Sequence, residues 1–486
     1  MWGKIISRSL SLKNWMRDGM PDSMLISRES FNTHTLEKHP HGEVVKRVLF
    51  AALRAVDPAT AVARFLEREG DLLSAGGRSY DLSHYRRVFI VGAGKAAVPM
   101  TKAAARILGD RLSGGLIITK EGFLRENFLG GAIPERIQVV EASHPLPDEF
   151  GVNATRRMLA LLNRVGENDL VLALISGGGS ALMTAPAEGI SLADLQTLTN
   201  LLLACGASIE EINTLRKHLD QVKGGGLARA ASKADLLALI LSDVVGDPLD
   251  VIASGPTVAD PTTFADALAI LQRYDLIDQT PSSILQRLRS GAEGRIPETP
   301  KPGDALFRQV HNLIIASNRH AAQAALEEAE GCGFRSLLLS TYLQGEARQL
   351  GQFLGAIARQ IHATRQPLQP PACLIAGGET TVTLQGDGLG GRNQEVALGA
   401  VRGMEAAHNL LLVTLATDGD DGPTDAAGAV VSGETLKRAL AMGMKPEDFL
   451  ERNDSYHFFH ALGDLIRTGP TQTNVNDLAF LFAFAD

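Results

Sequence analysis

Apolar residues recur along this chain with two periods, and the alternation between them sets the architecture. From His41 to Arg68, Val44, Val45, Val48, Leu49, Leu53 and Val56 fall at helical spacing, which predicts an opening helix. Arg87–Val91 is short, β-branched and stopped by Gly92, as a strand is, and the alanine-rich stretch from Ala96 to Leu108 reads as the next helix. Apolar runs at Gly115–Thr119, Ile137–Val140, Leu170–Ile175 and Leu236–Leu241 predict further strands, separated by helical patterns such as Glu149–Arg164 and Leu192–Ala204. Strands alternating with helices build a mostly parallel, doubly wound sheet.

Periodicity lapses between Gly291 and Asp304, where three prolines and three glycines crowd together, so residues 291–304 are expected to form a linker. That divides the chain into a first domain at 40–290 and a second at 305–486. The pattern restarts with strand Leu313–Ala316, helix Arg319–Glu330, strand Ser336–Ser340, helix Glu346–Ala363 and strand Ala372–Ala376. An edge-like segment at Thr380–Leu384 and strand Leu410–Ala416 follow, so the second domain is also α/β, with a mixed sheet. Residues 1–39 differ in kind: Lys4, Arg8, Lys13 and Arg17 precede the first acid, Asp18, with serines between. They read as a dispensable extension, with Met20 or Met24 as alternative starts, or as an organellar transit peptide.

Composition narrows the partners. At 486 residues the chain exceeds what one hydrophobic core supports. A net charge of −8 gives no footprint for nucleic acid, although backbone amides and a few basic side chains can still hold a small anion. Apolar runs such as Ala238–Leu241 fall far below the ~20 residues that cross a bilayer, so no membrane segment is expected. Cys205, Cys332 and Cys373 sit far apart in apolar surroundings, as buried free thiols of a reducing compartment do. The expected location is cytoplasmic, or mitochondrial if residues 1–19 form a transit peptide. A homodimer is compatible with the sequence.

Chemistry concentrates where strands end in glycine. Gly92-Ala93-Gly94-Lys95-Ala96-Ala97 fits the dinucleotide pattern G-x-G-x-x-A, but the acid that would grip a ribose, Glu121, comes one place late behind Lys120. A lysine beside glycine-freed amides is a phosphate-binding arrangement, so Gly92, Gly94 and Lys95 are candidates for a nucleotide phosphate. Ser176-Gly177-Gly178-Gly179-Ser180 follows an apolar strand and offers close backbone approach with two hydroxyls. Asn213, Arg216 and Lys217 share a helix face at i, i+3 and i+4, and Lys223 opens another glycine turn, giving cations for an acidic substrate. Asp243 and Asp247, four apart at a strand end, suit Mg²⁺ or proton abstraction, and Asp418 in Thr417-Asp418-Gly419-Asp420-Asp421-Gly422 is a third metal candidate. In the second domain, Gly390 and Gly391 free the backbone ahead of Arg392, whose guanidinium is suited to bridging phosphoryl oxygens. For several of these, plain alternatives stand: helix capping for the aspartates, a solvated charged face for the cations, a structural role for His218.

Taken in order, VGAGKAA, SGGGSAL, NTLRKHL with VKGGGLA, SDVVGD with ASGPT, GGETTV, GGRNQE, TDGDDGPTDAAGA, NDSY and TNVNDL resemble the glycerate 2-kinase family, over roughly Glu43 to Leu478. The resemblance implies a Rossmann-like N-terminal domain, a smaller α/β C-terminal domain, and a cleft between them where Mg-ATP and D-glycerate meet to give 2-phosphoglycerate. It implies that Lys95 and Arg392 are central to activity; Asp243, from the strand-end pair, is the third catalytic candidate. Two positions depart from the family pattern: Gln472 stands where a glycine is common, which strains a turn needing positive φ, and Leu389 where a basic residue is common. Rival readings are an NAD(P)H-dependent hydroxypyruvate reductase, carried by the glycine fingerprint, and a sugar-acid-binding regulator.

Overall fold

The structure, a computed structural model, describes residues 26–122 and 132–485. It forms two compact units. The first contains Ala61–Ser242 and Asp247–Ile315; the second contains Asp243–Gly246 and, of the described residues, 26–60 and 316–485.

The first unit opens with a small antiparallel sheet of β1 (Leu66–Glu69), β2 (Leu72–Ala75) and β3 (Arg78–Asp81). Its main sheet contains β4 (Arg87–Ala93), β5 (Leu112–Lys120), β6 (Ile137–Ala142), β7 (Asp169–Ile175), β8 (Asp235–Leu241) and β9 (Val310–Ala316), in the order β6-β5-β4-β7-β8-β9. The pairs from β6 through β8 are all parallel. Every residue of β7 is buried, which is why that strand reads as an unbroken apolar run. The chain leaves β4 for β5 on one side and returns to β7 on the other, so the carboxyl ends of β4 and β7 flank a topological switch point.

The second unit has a six-stranded mixed sheet of β10 (Arg335–Leu343), β11 (Ala372–Gly378), β12 (Leu410–Ala416), β13 (Gly428–Ser432), β14 (Leu465–Ile466) and β15 (Asp477–Ala483), in the order β10-β11-β15-β12-β13-β14. β10 and β11 are parallel, and β15 runs antiparallel between β11 and β12. Its first residue, Asp477, therefore pairs with Gly378 and Ala416 at the carboxyl ends of both neighbours. Helices Ala347–Thr364 and Arg392–Ala400 cover a core that includes Leu374, Leu412, Phe458 and Phe459.

Expectation and structure differ at several boundaries. Residues 291–304 are folded onto the first unit: Pro300 O accepts from Asp260 N at 2.8 Å, and Glu298 Oε1 accepts from Phe264 N at 3.0 Å. Leu313–Ala316, expected to open the second domain, belongs to β9 at the edge of the first sheet. The expected opening helix divides at Asp57-Pro58 into Gly42–Ala55 and Pro58–Phe65, because Asp57 Oδ1 takes the Thr60 amide at 2.8 Å and starts a new helix. Gly42–Ala55 belongs to the second unit, where it packs on the helix Asn318–Gly331. Residues 26–39 join that unit too, with Phe31 and Leu36 buried and both Thr35 N and Oγ1 donating to the Asp464 carboxylate at 2.8 Å; residues 1–25 of the expected extension lie outside the described residues. Thr380–Leu384 is no strand and makes only one bridge, Thr381 to Glu346. Among the described residues, no helix is long and apolar enough to cross a membrane.

Candidate active site

At the switch point, β4 and β7 approach so closely that Gly92 has no room for a Cβ beside the Leu174 carbonyl. Gly94 takes φ +136°, with a Cβ position only 2.6 Å from Ser176 O. The amides of this first loop are already spent: Gly94 N donates to Ile118 O (3.1 Å), Lys95 N to Gly177 O (2.9 Å), Ala96 N to Ser176 Oγ (3.0 Å) and Ala97 N to Gly94 O (3.2 Å). This corrects the expectation of bare amides at Gly92 and Gly94; those glycines serve the packing of one strand on the next. Ser176 likewise acts as a brace between the loops.

The free donors lie on the second loop. Gly177 N and Gly178 N have no hydrogen-bond partner among the described residues. Gly179 N is bonded to Ser176 O at 3.1 Å. Gly178, at φ +80°, has the Lys95 side chain against it, 3.6 Å from where its Cβ would be. The Lys95 ammonium makes no ion pair or hydrogen bond among the described residues. His144, which sequence reasoning missed, lies against Gly178 as well. Burial, then repulsion from Lys95 and Lys120, holds its imidazole down at about 4, so it is neutral near pH 7. The signal for it was available: a histidine two residues after β6, at the same carboxyl edge as the glycine loops.

Ser180 extends this site through hydroxyls. Its Oγ lies 2.8 Å from Ser254 Oγ, which donates to Asn213 Oδ1 at 2.9 Å. Ala253 and Ser254 both adopt positive φ (49° and 61°), backbone strain that persists only where surrounding contacts fix it. Asn213, expected to touch substrate, is buried and holds Ser254.

The four expected cations have different fates. Lys217 is buried and neutralised by Asp250 (3.6 Å) and Asp260 (3.5 Å). Lys223 is buried, 2.7 Å from Asp220 Oδ2 and 3.1 Å from Thr184 Oγ1. Arg216 alone keeps a guanidinium with no ion pair among the described residues, and it lines a cavity with Ser180, Gln196 and Thr199. Burial lowers its pKa, Asp220 partly opposing this.

In the second unit, Arg392 opens the helix Arg392–Ala400. Its Nη1 donates to Glu379 Oε1 at 2.8 Å, its Nε lies 2.5 Å from Asp477 Oδ2, off the hydrogen-bonding line, and its Nη2 donates to Asp477 Oδ1 at 3.4 Å. Burial pushes the Asp477 carboxyl up to about 7, against the pull of Arg392. The helix amides are not open to a ligand: Asp421 accepts Asn393 N at 3.0 Å and Gln394 N at 2.8 Å. Gly391 packs against Asp421 and Gly390 against Ser455, and neither has room for a Cβ. Asn453 and Asp454 hold the preceding loop, accepting from Gln385 N (2.7 Å) and Leu389 N (3.0 Å). Gln472 takes φ +64°, as the departure from glycine anticipated. Of the expected metal ligands, Asp243 and Asp247 fall in different units, and Asp418 Oδ1 accepts from Asp420 N at 3.2 Å. Among the described residues, no three His, Cys, Asp or Glu side chains converge as a metal site.

Amides and a lysine without partners among the described residues, at a strand switch point, define an α/β protein with the donors that suit a small anion. Residues 44–289 match the family described as "Domain of unknown function (DUF4147)", and residues 372–477 match the "MOFRL family". The chain is 44% identical to a glycerate 2-kinase of Pyrococcus horikoshii, covering 90% of this chain and 96% of that one. It is 45% identical to a D-glycerate 2-kinase of Thermotoga maritima, covering 81% and 89%, and 40% identical to a putative hydroxypyruvate reductase of Agrobacterium vitis, covering 90% and 93%. The crystal structure of a Thermotoga maritima glycerate kinase superposes with a TM-score of 0.81 at 41% identity, covering 91% of this chain and 99% of that one. The chain belongs to the glycerate 2-kinase family.

Proposed function

We propose that the protein transfers the γ-phosphoryl group of ATP to the 2-hydroxyl of D-glycerate, giving 2-phosphoglycerate and ADP. The observation that carries this reading is the Lys95 side chain, packed through its Cγ against Gly178, with no partner for its ammonium and none for the amides of Gly177 and Gly178 among the described residues. Together they supply donors for phosphoryl oxygens, and such positioning and charge stabilisation make up most of phosphoryl-transfer catalysis. Arg216 is assigned the glycerate carboxylate, since Lys217 and Lys223 are already neutralised. Arg392 is assigned to phosphoryl oxygens in the transition state, in exchange for part of its hold on Glu379 and Asp477. In the reaction the glycerate 2-hydroxyl oxygen bonds to the γ-phosphorus, the bond to the β,γ-bridging oxygen breaks, and Asp243 takes the hydroxyl proton.

Mg²⁺ is assigned to Asp243, Asp247 and Asp418 as candidate ligands. Since no three His, Cys, Asp or Glu side chains converge among the described residues, one or two of these carboxylates would hold the ion and nucleotide phosphates and water would complete its shell. When bound, the ion neutralises charge on the transferring group. The reductase reading is disfavoured because the fingerprint loop has no free amide for a dinucleotide pyrophosphate.

Incubation with ATP, Mg²⁺ and D-glycerate, with 2- and 3-phosphoglycerate resolved in the products, tests the proposal. The expected result is 2-phosphoglycerate with equimolar ADP. Hydroxypyruvate-dependent NADH loss without ADP formation would overturn it.

A further inference from the structure

Residues of the helix Ile209–Leu219 line two cavities of the first unit. Arg216 lines the one described above; Lys217 and His218, on a different face of the same helix, line a second of about 290 Å³. That volume sits at the lower end for small-molecule sites.

Two guanidiniums line this second cavity. Each is fixed by one bond to a backbone carbonyl: Arg229 Nη2 donates to Glu298 O at 2.7 Å, and Arg287 Nε to His218 O at 2.9 Å. Neither has a carboxylate within ion-pair distance among the described residues; Asp304 acts on Arg229 and Glu188 on Arg287 only through space. Carboxylates that could have neutralised them are engaged elsewhere. Asp220 is taken by Lys223 at 2.7 Å, and Asp260 by Lys217 at 3.5 Å and the Thr299 hydroxyl at 2.8 Å. Glu298 accepts from Phe264 N and lies 3.2 Å from both His218 Nε2 and Lys301 Nζ. Two rigid forks, partly desolvated and with most of their N–H donors unspent, therefore face one small cavity in an otherwise acidic chain.

We infer that this cavity is a second anion site, taking a small organic phosphate of two or three carbons held between Arg287 and Arg229. Guanidinium forks match phosphate oxygens in pairs, and a cavity of about 290 Å³ suits an occupant of this size. The ion pair Asp220–Lys223 lines both cavities, so an occupant here touches the wall of the Arg216 cavity and acts as an effector of whatever binds there. The site stands independently of the kinase reading.

Phosphoglycolate is a suitable probe, followed by calorimetry on the full chain without nucleotide. One binding event should survive Arg216→Gln and weaken roughly tenfold or more in Arg287→Gln. Because Arg287 also ties down His218 O, Arg229→Gln at the exposed rim serves as a second variant and should act in the same direction. Absence of binding by the wild type at millimolar probe overturns the inference. So does binding lost in Arg216→Gln but kept in both Arg287→Gln and Arg229→Gln, or heat reproduced by chloride at equal ionic strength.

Discussion

Replacing Arg392 with lysine separates two roles that its geometry combines. The guanidinium spans two carboxylates at once, with Nη1 on Glu379 at 2.8 Å and Nε and Nη2 on Asp477 at 2.5 and 3.4 Å. A lysine keeps one charge but reaches only one of them. These pairs are partly exposed and so partly screened, and a lysine that keeps one contact loses about one charged hydrogen bond, roughly 1.5–2.5 kcal/mol. For units of this size that lowers Tm by roughly 3–10 °C. If Arg392 also bridges two oxygens of the transferring group, kcat falls by about 10²-fold or more while the KM for ATP changes little. Both quantities are to be measured on the same sample, with turnover normalised to the folded fraction. A lowered Tm with near-native turnover would make Arg392 a brace for Glu379 and Asp477 and remove it from the chemistry. An unchanged Tm would refute the energetic argument drawn from its ion pairs.

Gln472→Gly should be more stable than Gln472→Ala, both of which lose the side chain: leaving φ +64° to a glycine relieves about 1–2 kcal/mol, against about 0.4–1 kcal/mol of added unfolded-state entropy, and a glycine variant with the lower denaturation midpoint would contradict this. Truncation to begin at residue 40 should cost at least ~5 kcal/mol, because Phe31 and Leu36 leave the core and Asp464 loses both Thr35 donors; a truncated chain melting with the full one would show these contacts to be idle. Stability should also follow Asp477. Burial raises its carboxyl from 3.8 to about 7, so the folded state binds the proton more tightly; this contribution is whole below pH 3.8, declines as pH rises, and is lost above about 7. Wild type compared with Asp477→Asn across about pH 5 to 8 should show the gap shift in that sense, and a gap independent of pH would refute the assignment.

How much of this was legible in the sequence depended on whether the deciding contact was local. β7, β8 and β12 were read correctly because strands buried on both faces are continuous apolar runs. β1 to β3, as Leu-Glu-Arg-Glu, Leu-Leu-Ser-Ala and Arg-Ser-Tyr-Asp, carry no such run; antiparallel register holds them, and that is a property of the pairing. The proline- and glycine-rich stretch at 291–304 lacks periodicity as a linker does, yet its fixity comes from Asp260 and Phe264, far back in the chain. The site follows the same rule. Glycines marked both loops of the switch point, but which loop kept its amides free was decided by Lys95 N reaching Gly177 O and Ala96 N reaching Ser176 Oγ across two strands. Likewise Arg216, Lys217 and Lys223 look alike on paper. A cation reads the same whether it faces a ligand or a carboxylate, and here Asp220, Asp250 and Asp260 claim the two lysines, which leaves Arg216 as the one of the three with no ion pair among the described residues, its charge open to a substrate.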